Sequence, residues 1–173
     1  MDKNHKLLFH GAKSRIEGKL DIHKSRTNND LGQGFYTGER YEQAISFISG
    51  FEKSSVYIFD FKEEGLKGKK YNVNQEWMMT IAYYRGVLEE YENHPIIKKL
   101  IEKSCDCDYI IAPIVDNRMF QIINSFIMGE ITDEQCKHCL AATNLGYQYV
   151  FKSDKAIKSL KMLERCYISE KEK

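Results

Sequence analysis

Two glycines and two aromatic residues fall within eight positions, in residues 30–37 (DLGQGFYT). Gly32 and Gly34 have no Cβ and can adopt positive φ, so the backbone there can turn tightly and lie against a ligand. If the chain is extended after the glycines, Phe35 and Tyr36 point to opposite sides, one towards a core and one into a cleft. An ordinary glycine turn leading into a strand explains the same spacing, because short glycine patterns are common.

The chain of 173 residues is long enough for one domain with a hydrophobic core, and we expect a single domain over residues 1–173. Lys and Arg total 26 against 25 for Asp and Glu, so the overall charge is not that of a dedicated nucleic-acid binder. No stretch reaches the ~18 apolar residues of a membrane span, and residues 1–5 lack the apolar segment of a secretion signal. Five cysteines, an odd number, favour free thiols in a reducing cytoplasm. We therefore expect a cytoplasmic protein without a membrane partner.

Hydrophobic periodicity predicts short helices and strands without strict βαβ alternation, and hence an α+β fold with a largely antiparallel or mixed sheet. Residues 12–29 form a polar loop of a length that is more often functional than decorative. Residues 65–70 are predicted as a basic hairpin or loop, and residues 169–173 as a charged tail. Strands are predicted at 6–10, 55–61, 109–115, 145–151 and 162–168, and helices at 39–50, after Asn74, and at 95–103, 118–128, 133–142 and 154–160.

Two cysteine pairs raise the question of a metal site. Cys136 and Cys139 flank His138, and Cys105 and Cys107 form a second pair. Zinc sites of this type use knuckle-like turns, whereas Cys136 and Cys139 have helical spacing after a predicted capping box. Free cysteine is also a common small core residue. We expect no metal.

Three polar or aromatic side chains suit a dinucleotide ligand. His10 at a strand end can bond a ribose hydroxyl, Tyr36 can stack on a flat ring, and Gln148 on a third strand can hold a second ribose. Neither the Rossmann glycine pattern nor the spacing of a phosphate-binding loop is present. A dinucleotide would therefore bind to a different fold.

Residues 8–11 (LFHG) followed by residues 30–37 resemble the YHGS…DFGxGFYxT pattern of a bacterial family of ADP-ribosyltransferase-like domains. Four further segments fit the family's order: Gln75-Glu76-Trp77 with Arg85, and residues 109–118, 131–135 and 147–153. The resemblance covers about residues 6–165. It implies an ADP-ribosyltransferase-like split β-sheet with flanking helices, of the diphtheria-toxin-like class, that binds NAD+.

The resemblance also implies roles for single residues. His10 would bond the adenosine-side ribose and the nicotinamide amide, and Tyr36 would stack on nicotinamide. Gln148 stands where the family pattern has a glutamate, and it can bond a ribose hydroxyl but supplies no full charge to the oxocarbenium-like transition state. Asp116 is a candidate substitute carboxylate or base, and its alternative interpretation is the N-cap of the helix that includes Arg118.

The remaining cofactor contacts are expected along the same two segments. Gly11, Gly34, Phe35 and Thr37 would line the NAD+ site together with His10 and Tyr36. Arg15, with Arg26, could grip the pyrophosphate because a guanidinium offers phosphate a bidentate fork; the alternative is a solvated loop arginine.

The function that the resemblance implies is an NAD+-dependent mono-ADP-ribosyltransferase, the toxin of a bacterial toxin–antitoxin or phage-defence system. ADP-ribose would pass to a protein or nucleic acid, with NAD+ hydrolysis as a variant, and a small antitoxin protein is a possible partner. Lys67, Lys69 and Lys70 could form a local basic patch for a nucleic acid. The alternative is a non-catalytic module with a degenerate ADP-ribosyltransferase fold that binds NAD+, another nucleotide or a partner, which Gln148 favours.

Overall fold

The computed structural model describes residues 5–168, and within them a sheet of seven strands is flanked by six α-helices. The charged tail predicted for residues 169–173, and residues 1–4, lie outside the described part. The strands are β1 His5–Ala12, β2 Phe35–Gly38, β3 Ser55–Lys62, β4 Gly68–Lys70, β5 Tyr109–Pro113, β6 Tyr147–Phe151 and β7 Leu160–Tyr167. The helices are α1 Tyr41–Ile48, α2 Gln75–Tyr84, α3 Pro95–Cys105, α4 Asn117–Ile127, α5 Asp133–Ala141 and α6 Asp154–Lys158.

The strand order is β4-β5-β6-β2-β1-β3-β7, and neighbours are antiparallel except for the parallel pair β4–β5. β1 pairs with β3 along its whole length, but it meets β2 through one residue pair only, Phe9 with Gly38. The sheet therefore consists of two half-sheets, β4-β5-β6-β2 and β1-β3-β7, joined at that single pair. This is the mixed α and β architecture with a largely antiparallel sheet that the sequence predicts.

Three apolar clusters hold these layers together. The first packs helices α2 to α5 against one face of β5 and β6, and the third packs α1 against β1 and β3. The second lies between the half-sheets, where the ring of Phe61 meets Tyr109, Tyr149 and Phe151 at centroid distances of 5.1, 6.2 and 5.0 Å. Edge-on aromatic pairs of this kind add to the gain from burial. Aromatic packing, more than strand pairing, thus joins the two halves.

Helix starts follow the capping residues that the sequence offers. The side chain of Asn74 accepts a hydrogen bond from the Trp77 amide at 2.9 Å, and Pro95 occupies the first turn of α3. Thr132 and Gln135 form a reciprocal capping box at the start of α5. These three predicted helix starts are confirmed.

The prediction of a hairpin or loop at residues 65–70 was wrong for residues 68–70. A turn at Gly65 leads into β4, and Gly68–Lys70 pairs in parallel with the distant segment Tyr109–Ile111 of β5. An added Cβ at Gly68 would lie 2.4 Å from the Tyr109 ring, so this pairing depends on glycine. Because the partner strand lies some forty residues away, local sequence could not reveal it.

Candidate functional site

The glycine-rich segment 30–37 is held in place by the side chains of Lys152 and of its own Tyr36. Lys152 donates hydrogen bonds to the backbone carbonyls of Leu31 and Gln33, each at 2.7 Å. The Tyr36 hydroxyl donates to the carbonyl of Gly32 at 2.6 Å and accepts from the Leu31 amide at 3.1 Å. These four bonds fix the backbone of the segment immediately before β2.

Both glycines of the segment are required by close packing inside the protein. Gly32 has φ of 75°, and an added Cβ would lie 2.6 Å from the Tyr84 ring. An added Cβ at Gly34 would lie 2.8 Å from the carbonyl oxygen of Phe151 and from the side chain of Val150. The approach of the backbone to a ligand is therefore not needed to explain either glycine.

An ion pair anchors the first residue of the segment. Arg85 at the end of α2 contacts the Asp30 carboxylate at 2.6 Å, and its Nη2 donates to the carbonyl of Val115 at 3.2 Å. The guanidinium also lies over the Phe120 ring, 4.4 Å from its centroid. The Asp30 and Arg85 side chains are only 15% and 18% exposed, so the pair is largely shielded from solvent.

His10 lies beside the pair Phe9–Gly38, where the β1–β2 ladder stops. Its ring stacks on Phe35 at a centroid distance of 4.4 Å, and its Nδ1 lies 2.6 Å from the backbone carbonyl of Tyr36. A carbonyl can only accept a hydrogen bond, so Nδ1 carries the proton. The imidazole thus bonds the backbone of β2 at the point where regular strand pairing ends.

The environment of His10 leaves its Nε2 as a hydrogen-bond acceptor. Burial lowers the pKa of His10, against a smaller opposing effect of the bond to Tyr36, so the ring is neutral near pH 7. With the proton on Nδ1, Nε2 keeps its lone pair, and it has no hydrogen-bond partner among residues 5–168. A fixed, neutral imidazole of this kind can accept a hydrogen bond from a ligand hydroxyl.

Tyr36 and Phe35 point to opposite sides of β2, as the extended conformation predicts. Phe35 is buried in the second cluster, whereas the half-buried ring of Tyr36 packs against the first. Burial raises the pKa of Tyr36 far above its ordinary value, so the hydroxyl stays protonated and bonded to Gly32. Only the ring face is left for stacking on a ligand, and that role remains a prediction.

Gln148 lies on the same face of the sheet as Tyr36. In the register of β2 with β6, Tyr36 pairs with Val150 and Gly38 pairs with Gln148. Gln148 is buried, and its Nε2 donates to the carbonyl of Pro113 at 3.3 Å. Its Oε1 has no hydrogen-bond partner in the described part of the chain.

The three predicted catalytic positions converge on the junction of the half-sheets. Gly38 pairs with Gln148 on one side and with Phe9 on the other, so the backbones of His10 and Gln148 are about 10 Å apart, two strand spacings. The ring of His10, stacked on Phe35, lies on the opposite face from Tyr36 and Gln148. A ligand that contacts all three must therefore cross the split between β1 and β2.

Asp116 is placed as the helix-cap interpretation predicts. Its Oδ1 accepts a hydrogen bond from the Met119 amide at 2.7 Å at the start of α4, and the residue is exposed. No hydrogen bond joins it to His10, Tyr36 or Gln148 within residues 5–168. The structure therefore assigns its carboxylate to the start of α4.

The other predicted cofactor contacts are dispersed. Gly11 faces α1, where an added Cβ would lie 2.3 Å from the Ala44 carbonyl oxygen. Thr37 is buried and donates to the carbonyl of Tyr149 at 3.3 Å. Arg15 is exposed, with no ion pair to any residue in the range 5–168. Of these residues, only Arg15 has a side chain available to a ligand.

Two depressions in the protein surface lie away from this junction. One of about 410 Å³ lies beside β4, and another of about 360 Å³ lies between α2 and α3. Neither is lined by His10, Tyr36 or Gln148. The candidate site is thus defined by its side chains and the strand split, because a concavity alone would point to the lysines beside β4.

A metal site and a reactive cysteine are the alternatives to a nucleotide site that the cysteine pairs raise. In the described part of the chain, no three His, Cys, Asp or Glu side chains are grouped to hold a metal ion. Cys136 is buried with its Sγ 3.2 Å from Met78 Sδ, and burial raises the pKa of its thiol to about 11. Among residues 5–168, no helix is long and apolar enough to cross a membrane.

Lys152 and Arg85 were not predicted to hold the glycine segment. A cation directly after the buried strand β6 is the one sequence signal for Lys152, and nothing local to Asp30 indicates Arg85 as its partner. Both contacts join residues more than fifty positions apart, so they depend on the tertiary fold.

The fold is a mixed α and β domain with a split, largely antiparallel sheet. The candidate site has a neutral histidine at the split. The chain belongs to the family described as "Protein of unknown function (DUF3990)", whose sequence model matches residues 7–162. No curated protein and no solved structure matches the chain.

Proposed function

We propose that this protein is an NAD+-dependent mono-ADP-ribosyltransferase whose reaction takes place at the junction of the two half-sheets. The observation that carries the proposal is the state of His10. Its Nδ1 is bound to the Tyr36 carbonyl, its ring is neutral, and its Nε2 is an acceptor without a partner among the described residues. Such a group suits a ribose hydroxyl, which must donate its proton when it binds.

The reaction breaks the bond between nicotinamide and ribose C1′, and the electron pair leaves with nicotinamide. Positive charge then develops on the ribose as an oxocarbenium-like transition state, and an acceptor nucleophile forms the new bond at C1′ and loses its proton. In the variant reaction water is the nucleophile and free ADP-ribose the product. The enzyme accelerates the step by holding the ribose and the leaving group in this geometry.

Gln148 would position the ribose, but it supplies no full charge. Its Nε2 is committed to the Pro113 carbonyl, which orients the amide so that Oε1 can accept from the nicotinamide-side ribose hydroxyl. A neutral amide stabilises the developing cation less than a carboxylate would, so catalysis relies more on pre-organisation of NAD+. Tyr36 offers its ring face to nicotinamide, and the exposed guanidinium of Arg15 can reach the pyrophosphate.

The single residue pair between β1 and β2 supports the finer fold assignment, an ADP-ribosyltransferase-like split sheet. Together with the resemblance of residues 8–11 and 30–37 to that family, it supports a bacterial toxin of a toxin–antitoxin or phage-defence system. The protein would act in the cytoplasm, and a small antitoxin protein would neutralise it.

Expression in a bacterial host tests the toxin proposal. The wild type should arrest growth, whereas His10→Ala and Tyr36→Ala at equal protein levels should not. Thr143→Ala, a change in the connection after α5, is the control and should remain toxic. Equal harmlessness of wild type and His10→Ala would contradict the toxin assignment.

A second function is a non-catalytic module that binds NAD+ or another nucleotide at the same junction. The neutral amide of Gln148, bonded to Pro113, is the observation that favours it. Calorimetry with NAD+ separates the two functions when it is combined with an assay for nicotinamide. Binding that depends on His10, without nicotinamide release, would establish the module in place of the enzyme.

A further inference from the structure

A cation lies over two exposed aromatic rings at one end of α1. Lys13 Nζ is 5.3 Å from the centroid of the Phe47 ring and 4.4 Å from that of Phe51. The Phe47 and Phe51 residues are 66% and 41% exposed. We call Lys13, Phe47 and Phe51 the aromatic platform.

The strand register explains why these three side chains meet. Side chains alternate along β1, so Phe9, Gly11 and then Lys13 face α1. The missing Cβ of Gly11 lets α1 approach until an ideal Cβ would lie 2.9 Å from the side chain of Ile48. Phe47 is next to Ile48 in α1. Its ring therefore lies near the end of β1, where Lys13 follows the strand.

The platform lies close to the proposed reaction site. Lys13 follows His10 by three residues, which corresponds to about 10 Å of extended chain. His10 and Lys13 lie on opposite faces of β1, so a strand held on the platform would pass round the end of β1 to meet a ribose bound at His10. Two further cations flank the platform. Ala12 pairs with Ser55, so exposed Lys53 lies at the same end of β3. Exposed Arg15 follows Lys13 in the chain.

Exposed aromatic rings beside lysines have the chemistry of a surface that binds single-stranded nucleic acid. Bases stack on the rings through their flat faces, and the ammonium groups neutralise phosphates. Exposure of large apolar side chains to water costs free energy, and a bound partner that covers them would remove this cost. Residues 12–17 and 47–53 carry the cations Lys13, Arg15 and Lys53 against the acidic residues Glu17 and Glu52.

The lysines beside β4 fit a nucleic acid less well. Lys67 pairs with Asp106 at 2.6 Å, and Lys69 and Lys103 share Glu76 at 3.2 and 3.1 Å. The Tyr71 ring under Lys69 is buried, and the Tyr147 ring, 5.3 Å from Lys70 Nζ, is half-buried. Most of the positive charge there is thus balanced within the protein.

We infer that the aromatic platform binds the bases of a single-stranded nucleic acid, and that this strand is the acceptor of ADP-ribose. The inference rests on the proposed function, of which it specifies the acceptor class. The transfer joins ribose C1′ of NAD+ to a nucleophilic atom of the strand, nicotinamide leaves with the bonding electron pair, and the nucleophile loses a proton.

Fluorescence anisotropy with labelled 20-nucleotide single strands of RNA and DNA tests the binding. We expect binding that weakens with salt, and a loss of about tenfold in affinity for Phe47→Ser and for Phe51→Ser. Lys13→Glu should weaken binding at low salt. Phe47→Tyr keeps a stacking ring and should bind like the wild type, whereas Phe47→Leu keeps apolar area only and should not.

Two control variants match these changes on distant surfaces. Met128→Ser removes an exposed apolar side chain at the end of α4, and Lys98→Glu reverses an exposed charge on α3. Neither should alter affinity for the strand. Equal loss in the platform variants and the controls would overturn the inference, as would binding by Phe47→Leu that equals that of the wild type.

Transfer is followed with labelled NAD+ and the same strands. Label on the strand, lost in Phe47→Ser while nicotinamide is still released, supports the inference. Nicotinamide release with label on protein alone overturns the acceptor assignment but leaves the proposed function standing. If wild type releases no nicotinamide, the proposed function fails, and strand binding is then decided by anisotropy alone.

Discussion

The ammonium group of Lys152 donates a hydrogen bond to the backbone carbonyl of Leu31 across 121 residues of sequence, at 2.7 Å. It makes a second bond of the same length to Gln33, so one side chain after β6 spans the turn at Gly32. Burial lowers the pKa of Lys152, because a cation loses hydration there. The protein tolerates that cost because the carbonyls of the segment would otherwise lack donors.

Replacement of Lys152 by Met should reduce the free energy of unfolding by about 2 kcal/mol, because two carbonyl acceptors lose a charged donor. Urea denaturation followed by circular dichroism measures this. Lys158→Met, an exposed lysine of α6, is the matched control and should change stability by less than ~0.5 kcal/mol. Equal stability of the two variants would show that the Lys152 bonds contribute nothing.

The shielded pair Asp30–Arg85 should be energetically coupled. In a double-mutant cycle with Asp30→Asn and Arg85→Gln, we expect a coupling energy of about 1–3 kcal/mol. The pair Lys67–Asp106, with side chains 63% and 78% exposed, provides the comparison and should couple by less than ~0.5 kcal/mol. A coupling energy for Asp30–Arg85 as small as that of the exposed pair would contradict the anchoring role.

His10 should make stability depend on pH below its ordinary pKa of about 6.5. Since the folded-state pKa of His10 is lowered, the unfolded chain binds the proton first as the pH falls. The stability due to neutral His10 is therefore complete above pH ~6.5 and lost as the pH falls through the folded-state value. Urea midpoints at pH 8, 6.5 and 5 should show a smaller loss in His10→Gln than in wild type, while exposed His138→Gln follows wild type.

The change Gln148→Glu should destabilise the protein at pH 8 by about 1–3 kcal/mol, because a buried carboxylate would face the Pro113 carbonyl in place of an N–H donor. Burial would raise the pKa of the new carboxyl above the ~4.3 of an unfolded glutamate. The penalty is thus absent below that value and grows as the pH rises through the folded-state pKa. Thermal unfolding at pH 5 and 8 measures the difference, and a penalty independent of pH would contradict the placement of Gln148.

The parts of the fold that local sequence determines were predictable. Asn74 and Thr132 start helices because the side chain of each accepts a hydrogen bond from the amide three residues ahead, a signal that lies within one turn. The strand around His10 follows from the apolar run in residues 6–10, and the opposite directions of Phe35 and Tyr36 follow if the chain is extended after the glycines. Their assembly into a largely antiparallel sheet was expected from the lack of βαβ alternation.

What escaped prediction depends on contacts between distant residues. The pairing of β4 with β5 requires glycine at position 68, because the Tyr109 ring occupies the space of a side chain there. Segment 30–37 is fixed by Lys152 and Arg85. The sequence also gave no reason to expect His10 and Tyr36 on opposite faces of the sheet, since that depends on where the β1–β2 ladder stops. The catalytic roles of His10, Tyr36 and Gln148 remain predictions.

Incubation of the purified protein with NAD+ labelled on nicotinamide and on adenine tests the central claim most directly. We expect the wild type to release nicotinamide, with adenine label passing to an acceptor or to free ADP-ribose. His10→Ala and Tyr36→Ala should release none, although His138→Gln does. If the folded wild type released no nicotinamide and bound no NAD+ by calorimetry, the split sheet with its neutral histidine would not be an NAD+ site.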